Sequence, residues 1–453
     1  MPRRLVVVGG DAAGMSAAST AKRALGDALE VLVLERQPWT SYSACGIPYW
    51  VAGDVASLDD LVARTPEEHR ANGIDVRTGS TATELDLDAG KVVARTPEGT
   101  QTFGYDELLL ATGAEPIRPD VPGAQARGIH GVQTLADGRR VLDALGGDAK
   151  RVVIVGAGYI GIEMAEACVR RGLETVVVGK HPTPMPTVDG DLGDLIAEEM
   201  RSDGIDVRSS VTVTGFEDDL DGQVRAVVTD HGTIEADVVI LGTGVRGRTE
   251  LAAGAGLPLG IKGALPVDDR GRVDEDRHVW AAGDCVESRH RITGRATYVP
   301  LGTHANKQGW VVGRNLAGFD VTFPGVLGTA MTKVVTLEIA RTGLGEREAA
   351  DAGFDPLSVR IDATTSAGYM PNARSMTMKV VADRLTRRLL GAQIVGREGA
   401  AVRIDSFALA LWNEMTVDEL MMTDLGYAPP FASVWDPVQQ VARAAVSKLG
   451  PRA

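Results

Sequence analysis

The sequence predicts an α/β protein in three parts: two βαβ regions and then a C-terminal α+β domain. Three observations predict this. An apolar strand near the N-terminus runs into a glycine-rich turn, the same grammar returns from residue 151, and from about residue 325 alternating β-branched segments replace it.

At 453 residues the chain is too long for one ordinary core. It is 44% hydrophobic and 24% charged, the balance of a globular protein, and its 54 glycines suit tight turns beside ligands. The net charge of −14 argues against nonspecific binding to nucleic acid or anionic membrane, so a polyanionic ligand needs local cations. No stretch is long and apolar enough to span a bilayer, and Met1-Pro2-Arg3-Arg4 runs into a strand without a signal-type apolar region. Only Cys45, Cys168 and Cys285 occur. They make no disulfide framework and fit a reducing cytoplasm. No metal site is expected.

Taken in order, RLVVVG (4–9) reads as a buried parallel strand, Ala12 to Arg23 as a helix, and Glu30 to Leu34 as a second strand. The second unit is RVVIVG, a glycine-rich turn, a helix through Arg171 and the strand ETVVVG. LLLATG (108–113), VVILGTG (238–244) and RHVWAAGD (277–284) are further strands that end in small residues. MTKVVTLEIA, SMTMKVVAD and a helix around 402–414 mark the last domain.

The first turn, Gly9-Gly10-Asp11-Ala12-Ala13-Gly14, follows the dinucleotide fingerprint except that Asp11 replaces the middle glycine. Gly9 permits the turn, Gly14 lets helix and strand close up, and the helix start at Ala12 offers free N–H groups to a pyrophosphate. Glu35 stands 21 residues beyond Gly14, where its carboxylate can accept from ribose hydroxyls, with Arg36 beside it. Thr112 and Gly113 end one of the later strands, and Gly283 and Asp284 end another, placing a carboxylate near a ribityl chain. Together these make FAD the expected ligand.

The second turn, Gly156-Ala157-Gly158-Tyr159-Ile160-Gly161, is a complete fingerprint between strand and helix. Position 179, where an acid would favour NADH, is glycine and is followed by Lys180 and His181. A cation there pairs with the 2′-phosphate of NADPH, so NADPH is favoured and NADH stays open. Cys45 sits in SYSACGIPYW (41–50), with Gly46 and Pro48 marking a helix start that should lower its thiol pKa. With no second cysteine nearby, its oxidised form must be a mixed disulfide or a sulfenic acid. Cys168 reads as a packing residue, and Cys285, directly after Asp284, as buried near the flavin rather than catalytic.

With these residues in place the chain resembles the coenzyme A-disulfide reductases, in the single-cysteine branch of the FAD- and NAD(P)-dependent pyridine nucleotide-disulfide oxidoreductases. The resemblance runs through VGGDAAGMSAAS (8–19), SYSACGIPYW, GAGYIGIEMAE (156–166), GTAMTKVV (328–335), GAQIVG (391–396) and DLGYAPPFASVWDP (424–437). It implies two Rossmann-like domains, for FAD (1–115 and 245–324) and NAD(P)H (116–244), and a dimerisation domain (325–453).

By the same resemblance, Cys45 forms a mixed disulfide with coenzyme A. Tyr369 and Tyr427 reach the partner's site in a homodimer, with Tyr427 the foremost proton donor, and Tyr159 covers the flavin. Glu163 joins the cofactor-binding residues. Lys22, Arg23, Ser41 and Ser43 fall to the substrate; otherwise Lys22 and Arg23 are simply a basic helix end. Ala12 stands where peroxidases carry histidine, which disfavours peroxidase chemistry. Met370, Val335 and Thr336 depart from the pattern and leave the thiol open. No rhodanese-like extension is expected beyond Ala453. The competing readings are an NAD(P)H oxidase reducing O2 through a Cys45 sulfenic acid, a reductase of another small disulfide or persulfide, and a flavin-based redox sensor.

Overall fold

The computed structural model describes residues 2–451; Met1 and Ala453, on which the expectations about the two ends rest, lie outside them. The first apolar strand, Arg3–Val8, pairs in parallel with Leu29–Leu34 on one side and Glu107–Leu110 on the other. Asp75–Arg77 extends this sheet beyond Leu29–Leu34, and Val279–Ala281 extends it beyond Glu107–Leu110. An antiparallel edge, Arg272–Asp274, completes six strands. Strands covered on both faces carry continuous apolar runs, and Leu5 to Val7 are fully buried here.

A second parallel sheet repeats the plan with Arg151–Val155 between Glu174–Gly179 and Val238–Leu241, flanked by Asp206–Ser209 and Ile129–Gly131. Each sheet carries a three-stranded antiparallel flap, Thr81–Gly104 and Val213–Glu235. The sequence reading did not separate these flaps. Ala114–Pro116 and Val245–Gly247 pair antiparallel where the chain crosses between the two regions.

The helix Ala12–Leu25 is made of small residues because it lies directly on the helix Gly302–Leu316. A Cβ on Gly309 would stand 2.3 Å from the Ala13 carbonyl oxygen. The last region is a five-stranded antiparallel sheet in the order Ala330–Val334, Leu337–Gly343, Leu389–Gly396, Ser375–Asp383, Pro356–Thr364. The helices Ile404–Trp412 and Pro437–Leu449 cover it, with Phe407 fully buried between sheet and helix.

The hairpin turn at Val335 docks on the helix Tyr159–Arg170. There the buried Glu166 accepts from Lys333 Nζ at 3.0 Å and from the Val335 N–H at 2.8 Å. Val335 has φ of +54°, a strained value for a β-branched residue that this carboxylate helps to hold. Among the described residues no helix is long and apolar enough to cross a membrane.

Candidate functional site

The two glycine-rich turns open onto one cleft of about 3120 Å³. Both turns use the same steric device. Gly9 has φ of +112° and Gly156 of +107°, and a Cβ on either would meet a backbone oxygen, Ala111's at 2.0 Å or Gly242's at 2.2 Å. Only glycine closes such a turn. The middle positions differ. Nothing lies within 4 Å of a Cβ on Gly158, which leaves open space for a ligand backbone, whereas the first turn places Asp11 there.

Asp11 precedes the helix Ala12–Leu25, but its carboxylate accepts from the Tyr42 N–H at 3.1 Å, joining the turn to the Cys45 segment. Burial pushes its pKa up to about 7, against the Tyr42 bond, and the charges of Glu35 and Asp284 add to the rise. Glu35 is buried and accepts from the N–H groups of Gly10 and Gln37, both at 2.7 Å. Its pKa is raised by burial, while those two bonds and the charge of Arg36 pull it down. Burial also pushes Asp284 up to about 6.

Thr112 Oγ1 donates to the Arg248 carbonyl at 2.6 Å, fixing the end of its strand, and open space faces Gly113. The Gly283 N–H donates to Gln308 Oε1 at 2.9 Å, which sets the Asp284 turn. Arg36, Thr112, Gly113, Gly283 and Asp284 all line the cleft, as the sequence predicts for this set.

Around the second turn Tyr159, Ile160, Glu163, Lys180 and His181 line the cleft. Lys180 and His181 are exposed, and no ion pair engages Lys180 among the described residues. Glu163 accepts from Thr332 Oγ1 at 2.6 Å, and burial raises its pKa to about 7 against that bond.

Cys45 is the one free cysteine of the described chain that is exposed; Cys168 and Cys285 are buried. It lies in the single turn Ala44–Gly46 just before the helix Ile47–Ala52, so the helix start expected from Gly46 and Pro48 is present. The expected fall in its pKa is not. Burial at the cleft floor pushes the thiol up although its sulfur is open to the cleft, and the carboxylates of Glu163, Asp284 and Asp11 push the same way. A helix of six residues has too little dipole to outweigh them.

The remaining predicted residues separate. Arg23, Ser41 and Ser43 line the cleft. Lys22 does not: its ammonium donates to the Gly26 and Leu29 carbonyls, both at 2.9 Å, at the end of its own helix. Tyr369 and Tyr427 do not line their own chain's cleft either. They are 74% and 48% exposed on the C-terminal region, where the Ala367 N–H to Pro429 carbonyl bond of 3.0 Å brings their loops together. Tyr427 titrates above its ordinary value through desolvation and the Tyr369 hydroxyl beside it.

Motif reading missed Arg248, half-buried in the cleft wall with Glu115 at 3.5 Å, and His69, which is buried with Nε2 3.0 Å from Ser41 Oγ. Neither belongs to a fingerprint, and only the tertiary fold brings them to the cleft. Two glycine-rich turns at strand ends, an open middle glycine and a buried acid beside each of two strand ends fit two dinucleotides.

Residues 3–309 match the family described as pyridine nucleotide-disulphide oxidoreductase, and residues 329–438 match its dimerisation domain. The NAD(P)H coenzyme A polysulfide/persulfide reductase of Pyrococcus horikoshii is 39% identical over 446 residues, covering 98% of each chain. An NADH oxidase of Methanocaldococcus jannaschii is 35% identical over 453 residues, covering 98% of this chain and 99% of its own. A solved NAD-dependent persulfide reductase from A. fulgidus superposes with a TM-score of 0.95 at 35% identity, over 98% of this chain and 83% of that one. The chain belongs to the pyridine nucleotide-disulphide oxidoreductases, enzymes that work with FAD and a nicotinamide nucleotide.

Proposed function

We propose that this pyridine nucleotide-disulphide oxidoreductase uses NADPH to reduce a small disulfide, coenzyme A disulfide foremost, through a mixed disulfide on Cys45. The observation that carries the reading is the exposed Cys45 in a cleft onto which both glycine-rich turns open. FAD, when bound, relays an electron pair from the nicotinamide to sulfur.

The turn 9–14, Glu35, Arg36, Thr112, Gly113, Gly283 and Asp284 hold that dinucleotide. The turn 156–161, Glu163, Lys180 and His181 hold the nicotinamide nucleotide. Lys180 would pair with the 2′-phosphate, a role supported by its exposure and its freedom from ion pairs among the described residues.

The Cys45 thiolate attacks one sulfur of the disulfide. A Cys45–S–S–R bond forms, the substrate S–S bond breaks, and the expelled thiolate takes a proton from Tyr427 of a second copy of the chain, with Tyr369 orienting it. Two electrons from NADPH then cleave the mixed disulfide and return Cys45 as thiolate with a second thiol released. Overall, NADPH, one proton and RSSR give NADP⁺ and two RSH. Arg23, Ser41 and Ser43 flank the substrate.

Leu409, Met422, Phe431 and Val434 are each at least 65% exposed on the same region as the two tyrosines, an apolar surface that a second copy would cover. The free cysteines and the acidic surface fit the cytoplasm.

A persulfide or polysulfide as substrate follows the same steps, with hydrosulfide as one product, and the Pyrococcus horikoshii relative bears that name. The oxidase reading rests on the Methanocaldococcus jannaschii relative. NADPH oxidation by the wild type and Cys45→Ser, with coenzyme A disulfide, with coenzyme A persulfide and with O2 alone, separates the three. Turnover that requires both the disulfide and Cys45 is expected. Turnover on O2 alone, indifferent to any sulfur substrate, would replace this reading by the oxidase.

A further inference from the structure

The segments 40–43 and 61–64 run side by side in the cleft wall. Tyr42 and Val62 form an antiparallel bridge, the Ser43 N–H donates to the Leu61 carbonyl at 2.8 Å, and the Ala63 N–H donates to the Ser41 carbonyl at 2.8 Å. On its other side the Ser41 N–H donates to the Gly10 carbonyl at 3.2 Å. Ser41 holds φ of +48°, a sparsely populated value for a residue other than glycine, and lines the cleft shortly before Cys45.

His69 reaches Ser41 from the helix Pro66–Ala71, whose start is fixed by the Thr65–Glu68 capping box. The residue is 1% exposed, and its Nε2 lies 3.0 Å from Ser41 Oγ. Nδ1 is buried and has no partner. A cationic ring would bury an N–H there, and burial accordingly lowers the His69 pKa, with the Arg64 charge adding to the fall. In the neutral ring, an orphaned acceptor is tolerated better than an orphaned N–H. The proton therefore belongs on Nε2, which donates to Ser41 Oγ and leaves the hydroxyl proton free for a ligand.

Arg23, exposed and also lining the cleft, stands near the far end of the helix Ala12–Leu25, about 16 Å from its start at a rise of about 1.5 Å per residue. Ser41 lies at the near end, bonded to Gly10. A ligand with its sulfur at Cys45 and its anionic end at Arg23 passes Ser41 with its middle. In coenzyme A that middle is the pantetheine arm, whose amides carry uncharged acceptor oxygens.

We propose that His69 is a positioning residue that aims the Ser41 hydroxyl proton into the cleft, where it donates to an amide oxygen in the pantetheine arm of coenzyme A. His69 acts through Ser41 and fixes the direction of the bond that Ser41 makes. The inference deepens the coenzyme A reading of the cleft and rests on it.

The test is calorimetric titration of the Cys45→Ser holoenzyme, which forms no disulfide with its ligand. The ligands are coenzyme A and adenosine 3′,5′-bisphosphate, its anionic end without the arm. His69→Leu should weaken coenzyme A by roughly threefold to tenfold, the range of one neutral hydrogen bond, while the Kd of the bisphosphate holds. His69→Gln, whose amide N–H stands near the place of Nε2, should recover most of the loss. Ser41→Ala should cost as much as His69→Leu, and the two together no more than either.

An equal loss for the bisphosphate, or additive losses in the double variant, would overturn the positioning role. So would faster FAD release from His69→Leu with coenzyme A affinity intact, which puts the hydroxyl on the flavin instead. If His69→Leu does not accumulate, His69→Gln against His69→Asn, whose shorter amide stops short of Ser41, decides in the same way. A chain with wild-type Cys45 that binds coenzyme A through this pair yet leaves its disulfide unreduced sinks the proposed reaction alone. Disulfide reduction with an uncoupled pair sinks only the role of His69, and failure to bind coenzyme A overturns both.

Discussion

At the first glycine-rich turn three carboxylates, Asp11, Glu35 and Asp284, line one wall of the cleft, and burial raises the pKa of each. At the second turn the middle position is an open glycine, and the strand ends in Gly179 followed by exposed Lys180 and His181. The backbone device is shared, with a positive-φ glycine pressed against the next strand in both. The difference teaches that the fold provides the same pyrophosphate cradle twice, while side chains at the strand ends choose what it holds. An acidic wall suits hydroxyl donors of a retained ligand. An open cationic rim suits a phosphate that arrives and leaves.

Breaking the shared device should give the largest effect. Gly156→Ala forces a Cβ to 2.2 Å from the Gly242 oxygen at a φ of +107°, so about 3 kcal/mol or more of stability should be lost in urea denaturation. Changing the rim alone should leave the fold intact. Lys180→Glu is expected to raise the KM for NADPH by about tenfold to a hundredfold and to move the KM for NADH far less, a split that steady-state kinetics reads directly. Equal losses with both nucleotides would remove Lys180 from the 2′-phosphate.

Gly158→Ala sharpens the contrast with Gly156. Its Cβ meets nothing within 4 Å, so stability should hold while nucleotide affinity, read as flavin reduction against NADPH concentration, falls by roughly tenfold.

The pH dependence of stability tests the acidic wall. Asp11 releases its proton at about 7 when folded against 3.8 for the free side chain. Between those values the folded chain holds the extra proton, so stability falls as pH rises from about 4 to 7. Asp11→Asn should therefore stabilise the flavin-free chain by on the order of 2 kcal/mol at pH 8 and by almost nothing at pH 4. A gain independent of pH would mean that the Asp11 charge is not what strains the wall.

Local pattern was enough to read the two βαβ units, both turns, the return of RHVWAAGD to a strand end, and the change of character near residue 325. Each of these depends on residues close in sequence: an apolar run, a glycine that closes a turn, a helix start at Pro48. The flaps 81–104 and 213–235 escaped because short, mostly exposed strands alternate weakly. Lys22 shows another limit. A basic residue at a helix end has the same sequence signature whether it binds a phosphate or closes its own helix, and only the fold shows its ammonium on the carbonyls of Gly26 and Leu29.

By itself, then, the sequence determined the fold class and the two glycine-rich turns, since turn sterics and hydrophobic period act over a few residues. Tertiary structure alone decided that burial, and after it the charges of Glu163 and Asp284, would raise the Cys45 pKa, reversing the helix-start expectation. It alone brought Thr332 and Lys333 from the C-terminal sheet onto the second turn's helix, and Arg341 onto the Thr187 carbonyl. Charge and desolvation act through space, and the groups that set them here lie more than a hundred residues apart along the chain.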